Sequence, residues 1–162
     1  MEAENTVHEL VAELDYPMFI VTVASSGERS GCLVGFTTQC SIDPPRFLVC
    51  ISDKNRTHRV AREAEVMVVH LVPKDAIGLA ELFGSETGDE TDKFERCRWR
   101  EGPSGTPVLD DCGNWFAGSI LERMDAGDHT AFLLEPFEAA SDPGDGTFEF
   151  HRARRMDPGH EA

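Results

Sequence analysis

Apolar and polar positions change period along the chain, and each change marks an element. Val7, Leu10, Val11 and Leu14 recur at helical spacing behind Thr6-Val-His-Glu9, which has the spacing of a capping box, so the pattern predicts an amphipathic helix over 6–14. Pro17 stops it. Residues 18–24 are apolar and β-branched, a strand that ends at the turn Ser25-Ser-Gly-Glu28. Two more strands are predicted over 30–40 and 46–52. Between them Asp43-Pro-Pro45 forces a corner, because proline cannot continue a central ladder. A helix follows over 55–63, then a nearly continuous apolar strand over 65–72. Helices are predicted over 75–83 and 89–97, a loop over 103–107, strands over 114–124 and 129–138, and a terminal strand over 147–152. The tail beyond Met156 is expected to fray.

Six or seven strands with a few short helices, no repeat and no long linker predict one mainly β domain over 1–162, with its core at about 16–152. Most strands are apolar on both faces, which favours a closed barrel over an open sheet. At 162 residues the chain is long enough to bury a core without staples. No window approaches the ~20 apolar residues of a membrane span. The acidic, polar start lacks the basic and apolar regions of a secretory signal, so the expected location is the cytoplasm. The five cysteines have no paired spacing, which predicts reduced thiols and neither a zinc site nor a disulfide frame.

Charge changes the picture at one place. The formal net charge of −15 repels nucleic acid and anionic membranes. Yet Arg46, Lys54, Arg56, Arg59 and Arg62 lie within one short stretch whose only acid is Asp53. A local cationic patch in an acidic protein suits a small anion. Ser52, Asn55, Arg56 and Thr57 follow a buried strand and open a helix, where hydroxyls, a guanidinium and backbone N–H groups converge on a phosphate-sized space. The same residues also fit a plain helix cap with bases that balance the acidic surface. No Gly-x-Gly-x-x-Gly, phosphate-loop, Gly-x-Ser-x-Gly or His-Glu-x-x-His pattern occurs, which argues against Rossmann dehydrogenases, serine hydrolases and zinc enzymes.

From Pro17 to about Phe137 the chain resembles the flavin reductase-like family, which has the FMN-binding split-barrel fold. The pieces occur in the family's order: 17–23, Gly31 to Pro45, Arg46 to Ser52 with Asn55-Arg-Thr57, Leu79 to Phe83, Asp92-Lys-Phe94, Gly105 to Leu109, and Gly127-Asp-His129. The resemblance implies FMN, with FAD as an alternative, and hydride from NADH or NADPH. It places the strip Leu33, Val34, Gly35, Phe36, Gln39, Cys40 and Ser41 along the flavin ring. Ser52, Asn55, Arg56 and Thr57 would then hold the phosphate. It puts Lys93 and Phe94 near the cofactor, from the second subunit of a homodimer in one arrangement, and His129 facing the flavin or nicotinamide as the catalytic residue. No metal is implied, and a monooxygenase is the implied consumer of reduced flavin. The family often carries a small hydroxyl, an Asn and a Ser where Leu33, Gly35 and Gln39 stand here. Those departures leave the choice between FMN and FAD open and give weight to a module that has lost its flavin; an electron carrier with fixed flavin is the other alternative reading.

Overall fold

The computed structural model describes residues 1–142 and 146–156. Helix α1 (Glu2–Ala12) leads into β1 (Phe19–Ser25), β2 (Glu28–Val34), β3 (Thr37–Ser41) and β4 (Arg46–Ser52). Helix α2 (Arg56–Ala61), β5 (Val66–Leu71) and helix α3 (Ile77–Ser85) follow. The hairpin β6 (Trp99–Glu101) and β7 (Pro107–Leu109), the long pair β8 (Trp115–Asp125) and β9 (His129–Ala140), and the short α4 (Phe150–Ala153) complete the described order. Among the described residues no helix is long and apolar enough to cross a membrane.

Seven strands form one antiparallel sheet in the order β2-β1-β5-β8-β9-β4-β3. Its two edge strands, β2 and β3, are consecutive in the chain and joined only by Gly35 and Phe36, so the sheet must curl until its edges meet. Register shifts in β8–β9 near Ala117 and Ile120 supply bends for that curl. The result is the split barrel expected from the sequence.

Among the described residues three clusters, the smallest formed by Val66 and Val68 of β5 with Val108 and Ala117, explain why the strands read as apolar without alternation. Val21, Val23, Val49, Met67, Val69 and Phe132 fill the barrel. On the outer side Ile20, Val72, Phe83, Phe94, Leu109 and Phe148 pack beneath α3 and the β6–β7 hairpin. Strands β1 and β5 therefore bury both faces.

Several expectations change. The strand predicted over 30–40 breaks at Gly35–Phe36 into β2 and β3. The helix expected over 89–97 shrinks to a 3-10 turn at Lys93–Glu95, because that polar segment has only Lys93 and Phe94 to bury. The first helix starts earlier, and the Thr6 hydroxyl donates back to Glu2 O at 3.0 Å and does not cap. The terminal strand is reduced to bridges from Thr147 to Pro73 and from Glu149 to Pro17, followed by α4. The loop expected over 103–107 is the connection of the β6–β7 hairpin, whose strands the sequence pattern does not predict. The tail beyond Met156 lies outside the described residues.

Candidate functional site in the barrel seam

A cleft of about 310 Å³ opens where the barrel splits between β2 and β4. Leu33, Val34, Gly35 and Phe36 form one side, and Ser52, Asn55 and His129 converge from the other. Pairing of β4 with β9 sets Ser52 opposite His129, which brings the phosphate-loop candidate and the histidine together across a long sequence separation. Cys50 N donates to Phe36 O at 2.9 Å and carries the ladder past the break.

The remaining walls come from residues that sequence reading passed over. Tyr16 and Phe150 stack with centroids 4.6 Å apart and close one end with Met18. Cys32 and Cys50 also line the cleft, and burial pushes both thiols up, so they stay protonated near neutrality. No short-range signal links Tyr16 to Phe150. Period-2 alternation from Val34 back to Cys32 was the available hint for that thiol.

Gly35 is placed by packing. A Cβ there would lie 2.6 Å from the Tyr16 ring and 2.9 Å from Met18 Sδ. The Tyr16 ring thus occupies the space that any side chain at position 35 would need.

His129 packs against Phe36 with centroids 5.0 Å apart. Its Nδ1 lies 2.7 Å from Asp128 Oδ1, and that hydrogen bond holds the Asp128 carboxyl below the usual range. Ser52 is buried, and its Oγ accepts from Lys54 N at 3.4 Å. Asn55 caps α2, accepting from Thr57 N at 2.9 Å. At six residues α2 is too short to supply an anion site from its N-terminus alone, so an anion here would depend on side chains.

Other predicted residues lie elsewhere. Gln39 and Cys40 are exposed on β3, with Gln39 Nε2 bonded to Ser41 O at 3.2 Å, and none of Gln39, Cys40 and Ser41 lines the cleft. Arg56 sits at the rim of a second hollow, donating to Arg29 O at 3.1 Å and lying 3.6 Å from Glu28. Thr57 is fully buried and bonds Ser30 at 2.9 Å. Lys93, 5% exposed, donates to Gly31 O and Phe83 O, each at 3.1 Å, and burial pulls its pKa down. Phe94 is buried against Phe83 and Trp99. Thr57 and Lys93 therefore brace β2, at Ser30 and Gly31. Among the described residues no group of three or more His, Cys, Asp and Glu could hold a metal ion.

An apolar, aromatic-walled slot with hydroxyl, amide and imidazole groups at one end fits a flat ring system carrying a polar tail. Fold and cleft together define a split-barrel protein with a ring-binding seam. The chain belongs to the flavin reductase like domain family, whose model matches residues 11–158, and its fold is that family's FMN-binding split barrel. It is 28% identical over 117 residues to a probable flavin reductase of Rhizobium meliloti, covering 70% of this chain and 37% of that protein. It is 27% identical over 135 residues to the reductase component of a 4-nitrophenol 4-monooxygenase/4-nitrocatechol 2-monooxygenase of Rhodococcus opacus, covering 83% of this chain and 70% of that one. An NADH:FAD oxidoreductase structure from Streptomyces globisporus C-1027 shares the fold, with TM-score 0.82, 23% identity, and coverage of 92% of this chain and 89% of that one. The chain spans little more than a third of the Rhizobium relative.

Proposed function

We propose that this protein is a flavin reductase that transfers hydride from NADH or NADPH to FMN and releases reduced flavin to a partner monooxygenase. The observation that carries this reading is the seam cleft, where aromatic walls meet Ser52, Asn55 and His129, in a chain of this family. The flavin, when bound, supplies the hydride-accepting chemistry, and the protein binds, orients and shields. Residues 33–36 and the Tyr16–Phe150 pair would flank the ring and exclude water, while Ser52 and Asn55 would hold the tail; Arg56, which faces the second hollow, would act on the phosphate only through its charge. His129, already anchored by Asp128, would position the nicotinamide or give up a proton. FAD shares the ring and enters as the alternative flavin.

A homodimer belongs to the same reading. Val7, Leu10 and Val11 form an exposed apolar stripe on α1, continued just beyond it by Leu14, and Phe36 at the cleft mouth is 55% exposed. An isolated helix this short is marginal in water, which favours a covering partner. Sedimentation at micromolar protein is expected to give twice the 17.9 kDa chain mass; a monomer would remove this part.

The activity is tested by following NADH and NADPH oxidation with and without added FMN. Rapid turnover that depends on free FMN is expected. Oxidation that proceeds equally without added flavin, in a yellow preparation, would mean a fixed cofactor and an electron carrier. No flavin binding and no oxidation would refute the proposal.

A further inference from the structure

Asp53 is the one acid in the cationic stretch 46–62, and it stands beside Ser52 and two residues before Asn55. A loose carboxylate there would oppose any phosphate that the loop holds. The fold turns it the other way. Thr130 Oγ1 donates to Asp53 Oδ1 at 2.7 Å. His58 Nε2 lies 2.9 Å from the same hydroxyl and 3.2 Å from the same carboxylate oxygen. The threonine hydroxyl has a single proton and gives it to Asp53, so the histidine must be the donor and carry hydrogen on Nε2. Asp53 N also donates to Asp128 O at 3.0 Å, which ties the loop to the turn that carries His129.

The two sets of side chains face apart. Ser52, Asn55 and His129 line the seam cleft. Asp53, His58 and Thr130 line a separate hollow of about 390 Å³ on the opposite face, the one that carries Ile51 and Phe132. Alternation along β4 and β9 produces this split, since Thr130 follows His129 and Asp53 follows Ser52.

We propose that Thr130 and His58 are positioning residues that clamp the Asp53 carboxylate on the face of the loop opposite the seam cleft, away from the anion, and lock the loop to the His129 turn. The clamp rests on the flavin-phosphate reading above. It acts on charge, so its loss discriminates between flavins with and without a phosphate.

The test is fluorescence titration of Thr130→Val, which keeps the side chain's shape without its hydroxyl, with FMN and with riboflavin, alongside melting temperatures. The FMN dissociation constant is expected to rise roughly fivefold at low salt, and less so at high salt, because the new repulsion is screened. Riboflavin affinity is expected to change less than about twofold. Adding Asp53→Asn to Thr130→Val should return FMN affinity to within about twofold of the parent, and Thr130→Ser should match the parent throughout. If Thr130→Val does not fold, His58→Phe keeps the edge contact with Phe132, removes the donor and reads the same contrast. Unchanged FMN affinity, equal losses for FMN and riboflavin, or no recovery with Asp53→Asn would overturn the clamp. A parent that binds neither flavin overturns the functional reading and the clamp with it; a parent that binds FMN beside an indifferent Thr130→Val overturns the clamp alone.

Discussion

As pH falls from 6.5 toward 4, the protein is expected to lose about 3 kcal/mol of folding stability through His70 alone. His70 is fully buried on β5. Its Nδ1 lies 2.8 Å from Ile20 O and must donate, while Nε2 accepts from Leu109 N at 3.0 Å. One ring therefore links β1, β5 and the β6–β7 hairpin, and it does so only as neutral imidazole. A second ring proton would face the Leu109 N–H. Burial is the main reason that its pKa drops to about 4, partly offset by the Ile20 carbonyl. Between the two values the unfolded chain binds a proton that the folded chain refuses. Stability from this group is thus complete above about pH 6.5 and disappears as pH falls through 4. Urea unfolding at half-unit pH steps measures the slope. His70→Gln is expected to be less stable at pH 7, because the exchange disturbs two buried hydrogen bonds, and to show a flatter acid limb. An acid limb as steep as the parent's in that variant would show that other groups carry the effect.

His129→Ala is expected to lower turnover by about a hundredfold, the scale of a lost acid–base or positioning histidine, while FMN affinity changes little. The imidazole is anchored on one side by Asp128 and packed on the other by Phe36, so its direction is set before any ligand enters. It lies opposite Ser52 across β4–β9, close enough to serve the same ligand yet on a different strand from the residues that would hold the tail. Steady-state kinetics with NADH, combined with FMN titration, separates the two effects. Parent-like turnover would remove His129 from the mechanism, and a loss confined to FMN affinity would make it a binding residue.

Much of the frame was legible locally. Strands β1 and β4, the turn at Ser25–Glu28, and the Asp43-Pro-Pro45 corner follow from β-branched runs, glycine and proline, all short-range signals. The break at Gly35–Phe36 was harder to see, because the flanking residues suit a strand. A glycine inside an apolar strand was its only sign. The 89–97 segment has helical spacing but buries only Lys93 and Phe94, so packing sustains a single 3-10 turn there and no longer helix. Tyr16 and Phe150 were invisible as a pair, since nothing local brings the two ends of the domain together.

By itself the sequence determined the strand periods, the corner, the concentration of base at 46–62 and the resemblance that predicts a flavin-type ring. These depend on near neighbours and on composition. Tertiary structure alone decided which of those residues share a cleft. Pairing of β4 with β9 sets Ser52 against His129, and one step along the same strands turns Asp53 and Thr130 to the opposite side. Packing likewise directed Lys93 and Thr57 to brace β2, and set Tyr16 where a longer side chain at position 35 would have stood. Register between distant strands and competition for one volume are non-local properties, and in this chain they select the site from its candidates.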